Sequence, residues 1–406
     1  MMNNSIYQEY VKDMILTTSN YLLDDQRPQQ DETIVYIFNN DNTFEILSCF
    51  TKYNIIQVSS GLNHILFLAD FGQIFSYGKG DFGQLGLGDI IKSTKEPILI
   101  ESLTNIKKVV CGNCYSIALD NMGQIYRWGL LNIKEDPYFY PIKMYDNIQH
   151  FNWSNIVIDM DAKGDKACFG MNDGVILLWN SDNDNLCKIG ILENTNIFRI
   201  SLGKYFCFIL DNKHQLYVWG DNTYGEFLDN NTIEINRLKY PNFYRVNIES
   251  WGFSTKRDDY IYNNQDNYSK DYIIKDICCG DKHSLILDSN NIVWSLGDNT
   301  YGQCGVPLEI TTPDKPKMVI QYKQNIGNVT IACGCKTSGI VSPMGKLFTC
   351  GILSCNILGN NLKLPGISKY SQYDIYPNKL KLEYSLLHKN VQLVCFGEQN
   401  MIVIVK

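Results

Sequence analysis

Gly61-Leu62-Asn63-His64-Ile65-Leu66-Phe67-Leu68-Ala69-Asp70-Phe71-Gly72-Gln73-Ile74-Phe75-Ser76-Tyr77-Gly78 is the stretch on which the fold turns. Its apolar runs are short and bounded by Gly and Asp, the pattern of buried strands joined by tight turns. The spacing then recurs along the chain. Gly72 lies 11 residues after Gly61, and Tyr77-Gly78 follow at 16 and 17. From Gly112 the same offsets give Gly123 and Trp128-Gly129; from Gly203 they give His214 and Trp219-Gly220. Gly280 leads to Gly297, Gly334 leads to Gly345 and Gly351, and Lys163 leads to Gly174 and Trp179. A last copy starts at Gly397 and stops at Lys406. The anchors at 61, 112, 163, 203, 280, 334 and 397 are 51, 51, 40, 77, 54 and 63 residues apart.

The apolar register supports this alignment independently. Three residues before the anchors stand Val58, Val109, Met160, Ile200, Ile277, Ile331 and Val394. Fourteen residues after them stand Phe75, Tyr126, Leu177, Tyr217, Trp294 and Phe348. One unit of a few short strands cannot bury both its faces, whereas radial stacking of such units can. The reading is an all-β, seven-bladed propeller over residues 33–406, one ring where length alone allows two or three domains. The seventh copy lacks its third strand. Val35-Tyr36-Ile37-Phe38-Asn39 carries the missing pattern, so an N-terminal strand is expected to close the last blade.

Gly61-x-x-His64, Gly72 to Gly78 and the following Gly83-Gln84-Leu85-Gly86-Leu87-Gly88-Asp89 together resemble a repeat of the regulator of chromosome condensation family. Asp298-Asn299-Thr300-Tyr301-Gly302-Gln303-Cys304-Gly305 resembles the same turn, and Asp221-Asn222-Thr223-Tyr224-Gly225-Glu226 is a decayed copy. Trp-Gly followed by Gly-Gln-Leu-Gly argues against WD-type and kelch repeats. The resemblance implies a seven-bladed propeller. It also implies a family whose founding member exchanges nucleotide on a Ran-type small GTPase and docks on nucleosomes. Relatives serve as interaction scaffolds, and fold alone does not carry function across.

Composition narrows the chemistry. The chain holds 36 Lys and Arg against 43 Asp and Glu, a net charge of −7. That balance argues against a general polyanion binder. No apolar run reaches the roughly 18 residues of a membrane span, and Met1-Met2-Asn3-Asn4-Ser5 does not open a secretory signal. The expectation is an intracellular protein, cytoplasmic or nuclear, or one carried inside a virion, with no membrane contact. Its 14 cysteines are then expected to be reduced.

Several residues are candidate sites. Cys111-x-x-Cys114 and Cys333-x-Cys335 hint at metal or redox chemistry. Cys111, Cys279 and Cys333 each precede an anchor, however, where Ser60 stands in the first repeat, so they read as small buried residues. His64 and His283 share the position three after the anchor, which elsewhere holds Tyr115, Phe206 and Thr337; this is a packing or turn position. No Walker, Gly-x-Ser-x-Gly or zincin pattern occurs. No catalytic residue, metal or cofactor is expected.

Three regions remain as contact candidates. Residues 1–32 form an extension with Tyr7, Tyr10, Val11, Met14, Thr18 and Tyr21 at helical spacing, an amphipathic helix. Residues 230–272 read as an insertion carrying Tyr240, Tyr244, Tyr260, Tyr262, Tyr268 and Tyr272, a loop for a partner. Residues 313–389 hold ten Lys and three acids, a net of +7 that leaves −14 for the remainder. Lys315, Lys317, Lys323, Lys363, Lys369, Lys379, Lys381 and Lys389 would give blades six and seven a basic sector for a polyanion. The leading function is a non-enzymatic propeller scaffold for macromolecular interaction or assembly. The alternatives are a guanine-nucleotide exchange factor for a small GTPase and an architectural protein on chromatin or nucleic acid. Protein partners, nucleic acid through the basic sector, and self-association are the expected contacts.

Overall fold

The computed structural model describes residues 33–39, 44–50, 52–144, 156–227, 240–248, 273–308, 310–312, 315–322, 327–352, 381–382, 386 and 389–406. The extension 1–32, with its expected helix, lies outside them. The described strands form seven antiparallel sheets of four. Their first strands are Ile55–Ser60, Ile106–Cys111, Val157–Lys163, Ile197–Leu202, Ile274–Cys279, Thr330–Cys333 and Val391–Phe396. Each touches the next, and the last touches the first, so they form a closed inner ring. Blades one to six each run outward from one of these strands, in chain order.

The seventh blade joins the two ends of the chain. Its sheet runs Val391–Phe396, Asn400–Val405, Thr33–Asn39, Phe44–Phe50 from the inside out. Tyr36 pairs with Val403 and Phe38 with Met401, as the closing-strand reading expects. The N-terminal side supplies two strands rather than the one foreseen. Phe44–Phe50 is the outer edge strand, with only Leu47 and Phe50 buried, so its apolar pattern is weak.

The cores lie between blades. One cluster joins Val35, Ile37, Phe50, Ile402 and Ile404 of blade seven to Ile55, Ile65, Phe67 and Phe75 of blade one. The next joins Leu66, Leu68 and Ile74 of blade one to Val109, Ala118 and Trp128 of blade two. Burying such a side chain stabilises by about 1.5–3 kcal/mol, so each blade draws its stability from both neighbours. Between blades two and three a polar lock supplements this packing. The fully buried Arg127 guanidinium is held by both oxygens of Asp184, with Nη2 to Oδ2 at 3.0 Å. Trp179 Nε1 donates to Asp184 Oδ1 at 2.7 Å.

The expected insertion 230–272 is not one segment. Tyr240–Arg245 is the outer strand of blade four, with Tyr240 opposite Gly220 and Tyr244 opposite Val218. Segments 228–239 and 249–272 on either side lie outside the described residues.

Two outcomes follow. Deleting residues 1–50 should lower the thermal midpoint well below that of a chain lacking only residues 1–32, because blade seven then loses half its strands; equal midpoints contradict closure. Asp184→Asn tolerates the positive φ of that residue and should cost about 3 kcal/mol in urea unfolding, since Arg127 keeps a buried charge without its counterion. Adding Arg127→Met should recover most of the loss.

Candidate functional site

Strand direction sorts the loops onto two faces. First strands run toward the anchors, so the anchor turns and the loops between third and fourth strands share one face, here the anchor face. The turns between second and third strands and the connectors between blades share the other.

The repeat residues build the anchor face as a set of links between blades. A methyl group on Gly61 would sit 2.3 Å from the Gly112 carbonyl oxygen and 2.3 Å from His64 Cε1, so only glycine lets the inner turns approach. Gly78 has φ 107° and lies against the Asn63 carbonyl, a conformation and a space closed to side chains. His64 Nε2 lies 2.8 Å from Ser116 Oγ of blade two, and Ser116 Oγ donates to the Gln84 carbonyl at 2.9 Å. Trp128 Nε1 donates to the same carbonyl at 2.9 Å. Blade five repeats the device on blade six: His283 to Ser338 at 2.9 Å, and Ser338 to the Gln303 carbonyl at 2.7 Å. Because each serine proton is spent on a carbonyl, each serine oxygen accepts from Nε2–H. These are neutral histidines joining blades. Burial lowers His64 to about 4; burial, followed by Lys163, lowers His283 to about 3.

Glu226 occupies the place of Gln84 and Gln303. Its Oε2 accepts from the Tyr224 amide at 2.9 Å, as Gln84 Oε1 does from Phe82 and Gln303 Oε1 from Tyr301. Burial raises the Glu226 carboxyl to about 7.

Inside the ring lies a cavity of about 510 Å³, lined by Lys107, Lys108, Lys163, Arg199, Asp161 and Glu398 among others. Most of its charges are paired. Lys108 Nζ meets Asp159 at 2.6 Å, and Arg199 Nε meets Asp276 at 3.2 Å. Asp159, Asp161 and Ser201 also accept the inner-strand amides of Ile200, Leu202 and Cys279 from the next blade. Lys163 stands where six blades have glycine and reaches Asp281 of blade five at 4.0 Å. Thiols at the wall are held protonated by burial: Cys395 is pushed up to about 12 and Cys335 to about 11. Cys111 and Cys333 turn their sulfurs onto the carbonyls of Ser59 and Cys278, both at 3.3 Å. Such thiols are poor nucleophiles at neutral pH. Among the described residues no cluster of His, Cys, Asp and Glu is arranged to hold a metal ion. No helix among them is long and apolar enough to cross a membrane.

The contact candidates fare unevenly. Lys315 and Lys317 lie at the anchor-face end of blade five's outer strand, and Lys381 begins that of blade six. Lys389 lies on the other face, just before blade seven. Three of the four described lysines thus share the anchor face, on blades five and six, and Lys389 lies on the other face. Lys323, Lys363, Lys369 and Lys379 lie outside the described residues. Tyr244 is half-buried against the core between blades four and five, not a projecting contact. Tyr260, Tyr262, Tyr268 and Tyr272 lie outside the described residues.

Lys–Tyr pairs on the anchor face escaped the sequence reading. Lys282 Nζ lies 4.1 Å from the Tyr224 ring centroid. Lys336 lies 4.4 Å from Tyr301, while Lys166 and Lys204 lie 4.9 and 5.7 Å from Tyr205. Lysines just after the anchors at 203, 280 and 334 were their only sequence signal.

The pKa directions set a pH test. Glu226, raised, contributes stability that is complete below about 4.5 and lost as pH rises through about 7. Glu226→Gln should therefore gain about 1–3 kcal/mol at pH ~8, with the gain vanishing near pH ~4. The histidines act oppositely. Their contribution is complete above 6.5 and is lost as pH falls toward about 4 and about 3. Urea unfolding of Glu226→Gln should lose roughly 1.4 kcal/mol per pH unit per histidine over that window. A variant equal to wild type at both ends contradicts the assignment of Glu226.

Profiles described as regulator of chromosome condensation (RCC1) repeat match residues 72–119 and, in a second version, 199–226 and 274–303. The chain is 28% identical over 314 residues to protein RCC2 homolog of Xenopus laevis, covering 75% of this chain and 52% of that protein. It is 20% identical over 381 residues to guanine nucleotide exchange factor SRM1 of Saccharomyces cerevisiae, covering 80% and 73%. It is 25% identical over 326 residues to the E3 ubiquitin-protein ligase HERC2 of Mus musculus, covering 71% and 6%. The chain thus spans about half the length of the frog relative and a small part of the ligase. Among solved structures, Prp20p of S. cerevisiae superimposes with TM-score 0.66 at 16% identity, covering 93% and 92% of the two chains. Human WBSCR16 does so with TM-score 0.67 at 15% identity, covering 93% and 99%. Both are likenesses of fold.

Proposed function

From a seven-bladed propeller that carries regulator of chromosome condensation repeats, we propose a non-enzymatic interaction module that engages a protein partner through its anchor face. The observation that carries this reading is the division of labour on that face. His64, His283, Ser116 and Ser338 are consumed in joining blades. Tyr205 and Tyr301 remain 50% and 37% exposed, with lysines over their rings. Large aromatic groups with a polar rim are the usual anchors of protein interfaces. The relatives' names are in keeping with a regulatory or interaction role.

A second reading rests on one observation, the match to the yeast exchange factor over 80% of this chain. The solved Prp20p structure is described with binding to Gsp1p and histones. On this reading the chain would exchange nucleotide on a small GTPase.

Capture from the source cell tests the first reading. Tagged wild type should retain a protein partner. A variant with Phe71→Ser and Met122→Ser should retain it too, because these residues, 79% and 80% exposed, lie on the other face. Tyr205→Ala with Tyr301→Ala should lose it. Loss from the opposite-face variant alone overturns the assignment of the face. Release of a fluorescent GDP from Gsp1p and other small GTPases should not accelerate; clear acceleration puts the exchange reading first.

A further inference from the structure

Three lysines occupy the first turns of three consecutive blades: Lys204 in blade four, Lys282 in blade five and Lys336 in blade six. Each lies over a tyrosine ring of the same face, Tyr205, Tyr224 and Tyr301 respectively. Two of the tyrosines belong to the Asp-Asn-Thr-Tyr-Gly turn of the preceding blade, so the pairs sit on blade boundaries. Lys282 Nζ also donates to the Tyr224 hydroxyl at 2.9 Å. Lys204 and Lys336 are exposed. Among the described residues, none of the three is in an ion pair. Asp298 and Glu226 act on Lys282, and Glu398 in the turn of blade seven on Lys204, from beyond ion-pair distance; Asp281 is engaged by Lys163 and Asp165 by Asn113. Lys282 and Lys336 stand two residues after their anchors, where blades one, two, three, four and seven carry Asn63, Cys114, Asp165, Tyr205 and Gln399; Lys204 stands one residue after its own. The cations therefore form an arc over one half of the ring, not a band around it.

We infer that this arc binds an acidic polypeptide segment of the partner, with Lys204, Lys282 and Lys336 meeting its carboxylates one blade at a time. This rests on the protein-partner reading and supplies the chemistry of its contact. An ammonium held over a ring has lost part of its rotamer freedom already, so less is lost on binding. Single ammoniums set on separate blades suit carboxylates spaced along a chain. A nucleic acid fits less well. The arc has no arginine fork for phosphate, and a lysine lies over each ring on which a base would stack.

The test uses the full-length protein and a fluorescent Glu-rich peptide of about a dozen residues, read by anisotropy. Wild type should bind at roughly 50 mM salt and weaken steeply toward roughly 300 mM. Lys204→Gln, Lys282→Gln and Lys336→Gln together should weaken binding at least about tenfold with an unchanged thermal midpoint. Tyr301→Leu should weaken it less. A same-length Gln-rich peptide should not bind. No binding of the Glu-rich peptide, or equal binding by the triple variant, overturns the inference. So does tighter binding of a short oligo-dT that the same variant abolishes, which would reassign the arc to nucleic acid. If the captured partner is lost with Tyr205→Ala and Tyr301→Ala while the peptide fails to bind, the docking face stands and only its acidic occupant falls.

Discussion

A four-stranded antiparallel sheet of mostly apolar residues has two faces to cover, and among the described residues no α-helix covers them. Its neighbours must do so, and that single constraint shapes the molecule. The Val35–Ile55 cluster belongs to blades seven and one together, and the Leu66–Trp128 cluster to blades one and two. A ring built this way has no blade that can be left open, which explains why the first strands of the chain return to pair with its last. The anchor glycines follow from the same requirement. Inner turns packed as closely as Gly61 and the Gly112 carbonyl leave no volume for a side chain.

The polar network of the anchor face extends the packing rather than competing with it. Ser116 and Trp128 of one blade converge on the Gln84 carbonyl of the previous one, and Ser338 repeats the contact at Gln303. The histidines are neutral because they are buried and hydrogen-bonded, so they are structural parts, not acids or bases. Departures from the repeat have local consequences. Lys163 in place of glycine puts a cation across the ring to Asp281. Glu226 in place of glutamine puts an ionisable group where an amide fits. What the network leaves unused, the Lys–Tyr pairs, is what a partner can reach.

How much of this was legible depended on where the constraint acts. Anchors and the strands beginning near Ile74, Ile125 and Leu216 were legible because both their faces are buried and only certain residues fit. Outer strands were harder. Phe44–Phe50 exposes most of its residues, and Tyr240–Arg245 contains a proline and an asparagine, so neither carries a strong strand pattern. The second was absorbed into an apparent insertion. The basic sector was legible as a sum, but chain order alone does not say that Lys315, Lys317 and Lys381 share the anchor face while Lys389 lies on the other. The Lys–Tyr arc was invisible for a related reason. In two of its three pairs the partners come from different blades, 58 residues apart for Lys282 and Tyr224, so no local spacing announces them.

Mutual burial of the blades is most directly tested by native-state hydrogen exchange. If every blade depends on both neighbours, amides of the second strands, from His64–Ala69 in blade one to Asn400–Val405 in blade seven, should share one opening free energy equal to that of global unfolding. Anchor-face turns should exchange by smaller, local openings. Blades that open separately with distinct free energies, blade seven independently of blade one above all, would contradict a ring whose parts are stable only together.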